Sequence, residues 1–131
     1  MGLLNRLFGT STEEKEEKTL NWMPLMELSQ LHIIEKQSHI KTQVIFKYST
    51  RCGISRMVMN EFESCFEFEN DTCDLYFLDL IRYREVSNQV SKFFNVVHES
   101  PQILVIKDGK MVAHNSHGAI NDMDLNQFIV R

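Results

Sequence analysis

Phe46-Lys47-Tyr48-Ser49-Thr50-Arg51-Cys52-Gly53-Ile54-Ser55 is the stretch on which the rest of this chain is organised. Upstream of it, Val44, Ile45 and Phe46 make a contiguous β-branched and aromatic run bounded by polar residues, which reads as a buried strand from Thr42 to Tyr48. Downstream, Ile54, Val58, Phe62, Cys65 and Phe66 recur at intervals of three and four, predicting one buried stripe on a helix from Gly53 to about Phe68. A strand therefore delivers a thiol to a helix N-terminus. The first turn of a helix carries unpaired N–H groups and a partial positive charge of about half an elementary unit, so a sulfur placed there is favoured as thiolate. Because the thiolate is the nucleophile in disulfide chemistry, the junction predicts thiol-disulfide exchange at Cys52.

Outward from this point, strands and helices alternate. Trp22 to Leu28 contains Pro24 and reads as a short edge strand, followed by Ser29 as the N-cap of a helix to about Ser38 with Leu31 and Ile34 inward. After the Cys52 helix, Asn70-Asp71-Thr72 is a turn, and Leu75 to Ile81 is a second near-continuous apolar strand. Such strands are expected where helices cover both faces of a parallel sheet. Val86, Val90, Phe93 and Phe94 predict a helix from Arg84 to Asn95, and a third strand, Gln102 to Lys107, follows Ser100-Pro101. Asp108-Gly109 marks a two-residue hairpin, with Met111 to His114 returning antiparallel. Ile120, Leu125, Phe128 and Ile129 predict a closing amphipathic helix capped by Asn121. The fold class is α/β: a mixed central sheet of four core strands flanked by helices on both faces, with an additional N-terminal helix.

At 131 residues, 43% hydrophobic and 24% charged, the chain has the size and composition of one soluble domain. A net charge of -4 and the lack of any clustered basic window exclude a nucleic-acid-binding face. Residues 1–20 hold the charge run Glu13-Glu14-Lys15-Glu16-Glu17-Lys18 and read as a flexible N-terminal tail ahead of a domain spanning 21–131. No apolar stretch approaches the ~20 residues of a membrane span, and Leu3, Leu4, Leu7 and Phe8 are too few for a secretory core. Cys52, Cys65 and Cys73 form neither an even disulfide framework nor a zinc pattern, so no metal site is expected, and a reducing, cytoplasmic setting fits best.

With a cysteine at the first strand-to-helix junction and a proline opening the third core strand, the order of elements resembles the thioredoxin fold. Three motifs narrow the resemblance: Thr50-Arg51-Cys52-Gly53-Ile54-Ser55-Arg56, His98-Glu99-Ser100-Pro101-Gln102 and His114-Asn115-Ser116-His117. Together they resemble the monothiol bacilliredoxins of the bacillithiol system, over roughly residues 21–131. Some members place proline after the cysteine, where this chain has Gly53. The resemblance implies that Cys52 attacks the mixed disulfide between a target protein and bacillithiol, takes the small thiol onto itself and frees the target. A second small thiol then regenerates Cys52. It implies no bound cofactor, with bacillithiol as thiol co-substrate. The implied partners are bacillithiolated proteins, a low-molecular-weight thiol and a bacillithiol disulfide reductase system.

In this fold a cis-proline faces the nucleophile, which makes Ser100 and Pro101 substrate-binding candidates. If Pro101 lies near Cys52, the strand returning from Asp108-Gly109 ends near the same point, so His117 and Gly118 join them. Arg51, Gly53 and Ser55 complete the expected substrate-binding set around the catalytic Cys52. The Ser55 hydroxyl either caps the helix or donates to the thiolate, and the charges of Arg51 and Arg56 would favour a thiolate.

The spacing supports a one-cysteine cycle independently. Ser55 stands where dithiol members of the fold carry a resolving cysteine. Cys65 falls on the predicted buried stripe ~20 Å along the helix, whereas a disulfide needs Cα atoms within about 7 Å. Cys73 precedes the second strand, at the far end of the sheet. Two alternatives remain open: glutaredoxin-like exchange with glutathione or coenzyme A, and a non-catalytic thioredoxin-fold redox sensor or adaptor.

Overall fold

The computed structural model describes residues 20–69 and 71–129. The expected tail, residues 1–20, lies outside them apart from Leu20, as does Asn70 of the expected turn. The order of elements is β1 (Trp22–Pro24), α1 (Ser29–Gln37), β2 (Thr42–Tyr48), α2 (Gly53–Cys65), β3 (Cys73–Asp79), α3 (Arg84–Phe93), β4 (Gln102–Lys107) and β5 (Lys110–Ser116). Two 3-10 segments, His117–Asp122 and Leu125–Gln127, close the chain. The strands form one mixed sheet in the order β1-β3-β2-β4-β5, with β1, β2 and β3 parallel and β4 and β5 antiparallel to their neighbours. This is the thioredoxin-like α/β arrangement. No helix among the described residues is long and apolar enough to cross a membrane.

Alternation along β2 divides the core between two layers. Ile45 joins Leu31 and Ile34 of α1 and Val86 and Val90 of α3 on one face. Val44 and Phe46 pack with Val58 and Phe62 of α2 and with Ile120 on the other. At the hairpin, Asp108 and Gly109 have φ of 54° and 81°, as a two-residue turn with both central residues left-handed requires.

Several expectations are corrected by the structure. The buried stripe of α2 is Ser55, Val58 and Phe62, leaving Ile54 61% exposed, and the helix stops at Cys65 because Phe66 turns extended. Cys65 is accordingly exposed rather than buried. Ser29 does not cap α1; Leu28 holds that position, and the Gln30 side chain instead accepts from the N–H groups of Met26 and Glu27 at 2.7 and 2.9 Å. The closing α-helix is replaced by the 3-10 segments, because Asp and Asn side chains compete with the backbone for hydrogen bonds there. The Asp124 carboxylate accepts from the Asn126 N–H at 3.0 Å. Asn121, expected as a cap, donates to the Val58 carbonyl at 3.3 Å and ties this segment to α2.

Candidate active site

Cys52 is the N-cap residue of α2, with extended backbone angles (φ -108°, ψ 119°), and its sulfur is partly exposed. The loop from β2 is tightened by its own backbone: the Cys52 N–H donates to the Ser49 carbonyl at 3.1 Å, and the Cys52 carbonyl accepts from Arg56 at 3.3 Å. This places the sulfur over the unpaired amides of the first helical turn. The Ser55 N–H, followed by that of Ile54, pulls the thiol pKa below its ordinary value; partial burial opposes them, and the Ser55 hydroxyl adds a smaller push downward. The lowering thus comes from the helix amides, as expected of the junction, and not from the charges of Arg51 and Arg56.

Ser55 is fully buried, and its Oγ accepts from the Ser49 N–H at 3.4 Å. An accepting hydroxyl keeps its own proton to give, and the sulfur is the neighbour that receives it. Of the two roles expected for Ser55, the structure has thiolate support and not capping: α2 has no side-chain cap, and the Ser55 hydroxyl instead ties the loop at Ser49. We expect Ser55→Ala to shift the midpoint of Cys52 alkylation against pH upward. The wild-type midpoint should itself lie below that of an unperturbed thiol, and equal midpoints in the two proteins would remove the hydroxyl from the account.

The antiparallel register of β2 and β4 pairs Lys47 with Gln102, so Pro101 lies beside the end of β2 from which the Cys52 loop departs. Its peptide bond to Ser100 is cis. In β5, Ser116 pairs with Gln102, and the next residue donates: the His117 N–H reaches the Pro101 carbonyl at 2.9 Å. His117 adopts φ 56° as the chain turns away, leaving its imidazole and Gly118 exposed. One end of the sheet therefore gathers Cys52, Ser100-Pro101 and His117-Gly118. Arg51 is exposed on the same loop, its N–H donating to Ser49 Oγ at 3.3 Å. A Cβ added at Gly53 would meet nothing within 4 Å, so the approach to the sulfur is open on that side.

A cavity of about 240 Å³ borders the loop, lined by Tyr48, Ser49, Thr50, Arg56, Met59 and Asn60. The other two thiols lie far off. Cys65 ends a helix of 13 residues, ~20 Å along the axis. Cys73 pairs with Thr42 at the start of β2, six positions from the Tyr48–Asp79 pair, again ~20 Å away. Burial, followed by the Asp74 charge, pushes the Cys73 thiol up to about 11 and makes it inert at neutral pH.

Reading the sequence missed Lys47. It was part of a strand identified by its apolar neighbours, yet its side chain is fully buried and its ammonium sits among Ser87, Ser91 and His98. The signal available was a lysine inside a run whose other members point into two cores.

The sequence matches the family described as monothiol bacilliredoxin BrxC over residues 23–125. Among solved structures, one titled as a candidate oxidoreductase with a thioredoxin fold aligns at a TM-score of 0.68 and 34% identity, covering 81% of this chain and 91% of that one. Thioredoxin from Fasciola hepatica aligns at 0.61 and 20% identity, covering 76% and 89% of the respective chains. Thioredoxin f2 from Chlamydomonas reinhardtii aligns at 0.63 and 14% identity, covering 82% and 95%. The last two show likeness of fold alone.

Proposed function

The chain belongs to the monothiol bacilliredoxin family of thioredoxin-fold thiol redox proteins, and from that premise we propose that it removes bacillithiol from S-bacillithiolated proteins through Cys52. The observation that carries this reading is a partly exposed thiol held at a helix N-terminus with no second cysteine in reach. Cys52 thiolate attacks the small-thiol sulfur of the mixed disulfide. A new sulfur-sulfur bond forms as the old one breaks, and the target leaves as a thiolate that takes up a proton. The Cys52 adduct is then attacked by a second small thiolate, giving the symmetrical small-thiol disulfide and free Cys52. The target sulfur has been reduced at the expense of the incoming small thiol, and the two small thiols leave joined as one disulfide, so a separate disulfide reductase must return them.

In this reading Ser100 and Pro101 receive the incoming disulfide, and His117 and Gly118 flank it. The cavity between Tyr48 and Asn60 offers hydroxyls and the Arg56 guanidinium to a small thiol bearing hydroxyls and carboxylates. Ile54 and Met57, 61% and 70% exposed on the first turns of α2, supply an apolar rim for a protein target. The reaction requires a reducing compartment, and the cytoplasm is the location we propose.

Competition tests the choice of thiol. When one target protein carries either bacillithiol or glutathione, intact mass should show transfer to Cys52 favouring bacillithiol about tenfold, a difference of ~1.4 kcal/mol that one or two hydrogen bonds supply. Equal or faster transfer from the glutathione adduct reassigns the thiol. No transfer from either favours the sensor or adaptor reading.

A further inference from the structure

Lys47 is a lysine in a central strand whose charge no carboxylate balances among the described residues. Its side chain is fully buried, and among the described residues the ion pair formed is Lys41 with Asp74, not Lys47 with any acid. The three protons of the ammonium have three acceptors instead: the Ser87 carbonyl at 3.3 Å and Ser91 Oγ at 3.2 Å from α3, and His98 Nδ1 at 3.1 Å from the segment after it. The Ser87 hydroxyl, also fully buried, has no hydrogen-bond partner among the described residues, so the buried side of α3 carries polar groups beside its apolar ones.

The third acceptor sets what the lysine does. To accept from an ammonium, His98 must be neutral with its proton on Nε2. His98 is a surface residue whose ring is partly buried where Nδ1 meets the Lys47 nitrogen, three residues before Pro101. Gln102, the residue opposite Lys47 on β4 and 1% exposed, holds the same segment from the same side of the sheet: its Nε2 donates to the Val97 carbonyl at 2.9 Å and its Oε1 accepts from the Glu99 N–H at 3.4 Å. Two buried side chains side by side thus grip the segment 97–99, which leads directly into Ser100-Pro101.

We propose that Lys47 is a positioning residue for thiol exchange: through His98 it fastens the segment carrying Ser100-Pro101 at the end of the sheet where Cys52 emerges. This rests on the exchange reading above. Burial, with the charges of Lys47 and Arg84 against that of Glu99, holds the His98 imidazole below its ordinary pKa, in the neutral form that the contact requires. A contact on the opposite face of the sheet from α2 leaves the Cys52 sulfur untouched, so loss of Lys47 should impair binding of the mixed disulfide rather than reactivity of the thiol.

The test uses the full chain with a bacillithiolated protein substrate. Lys47→Met and His98→Leu should each raise KM about tenfold with kcat and the alkylation rate of Cys52 near wild type, the pattern of lost binding rather than lost chemistry. His98→Asn, which keeps an acceptor close to the place of Nδ1, should restore most of the affinity. In NMR titration the His98 imidazole pKa should rise in Lys47→Met, which removes both a neighbouring charge and a donor. Unchanged KM in His98→Leu, or identical behaviour of His98→Asn and His98→Leu, overturns the proposal even if Lys47→Met fails to fold. A wild type that transfers no small thiol overturns the exchange reading and the role with it, while the titration reports separately whether the contact exists.

Discussion

Cys52→Ser is expected to abolish small-thiol transfer, by about a thousandfold or more, since a hydroxyl is un-ionised at neutral pH and its loss removes the nucleophile outright. Cys65→Ser and Cys73→Ser should each stay within about twofold of wild type. The contrast follows from where the three sulfurs sit. Cys52 faces the amides of Ser55 and Ile54, which lower its pKa. Cys73 is buried at the opposite end of the sheet with its pKa pushed up to about 11, so at pH 7 almost none of it is thiolate. Cys65 is exposed and free to react with alkylating reagents, yet it lies a full helix away from Cys52. After one turnover without free small thiol, wild type should therefore hold the adduct on Cys52 as a stable mass increment, with no intramolecular disulfide to resolve it. Loss of transfer in Cys65→Ser, with folding retained in far-UV circular dichroism, would refute the one-cysteine cycle.

The order of strands was legible because the apolar runs at Val44 to Phe46 and Ile103 to Ile106 are buried on both faces, which leaves a continuous signal in one dimension. The Asp108-Gly109 turn was legible for the equally local reason that few residues accept left-handed φ at both positions. Misreadings arose where a side chain's partner is remote in sequence. Ser55 displaced Ile54 from the buried stripe because the phase of α2 is set by Val58 and Phe62 packing on the sheet, and a hydroxyl bonded to Ser49 is tolerated inside. At the C-terminus, apolar spacing at Ile120, Leu125 and Ile129 is real and buries Ile120 and Ile129, but 3-10 turns meet the same spacing. For the site, the position of Cys52 relative to the helix could be read from the junction itself. The Lys47 cluster, by contrast, depended on contacts across 40 to 51 residues of chain that periodicity does not carry.

Lys47→Met should make the protein more stable at pH 7, and the gain should vanish at high pH. Desolvation by burial lowers the Lys47 pKa from 10.5 to about 8. Between those values the unfolded chain binds the proton that the folded chain has released, so wild-type stability rises with pH across this window. Below about pH 8 both states are charged, and the folded state bears the full desolvation cost. At 1.36 kcal/mol per unit the displacement corresponds to ~3 kcal/mol, reduced to about 2 by solvent screening on the exposed His98 side. A methionine of similar length carries no such cost, although it leaves Ser91 and His98 without a donor, so the net gain at pH 7 should be about 1 to 2 kcal/mol. Wild type alone gives a blurred profile. Cys73 is an acid whose folded pKa is raised to about 11, so its contribution to stability is lost as pH climbs from 9 toward 11, against the rise due to Lys47. The difference between Lys47→Met and wild type cancels that common background. Urea unfolding of both proteins at intervals from pH 7 to 10.5 should show the variant's advantage shrinking steadily above pH 8. A constant difference across that range would mean that the buried nitrogen does not titrate there. Destabilisation at pH 7 by more than about 2 kcal/mol would mean that its three hydrogen bonds outweigh its desolvation, and that Lys47 is held in the strand by the fold itself.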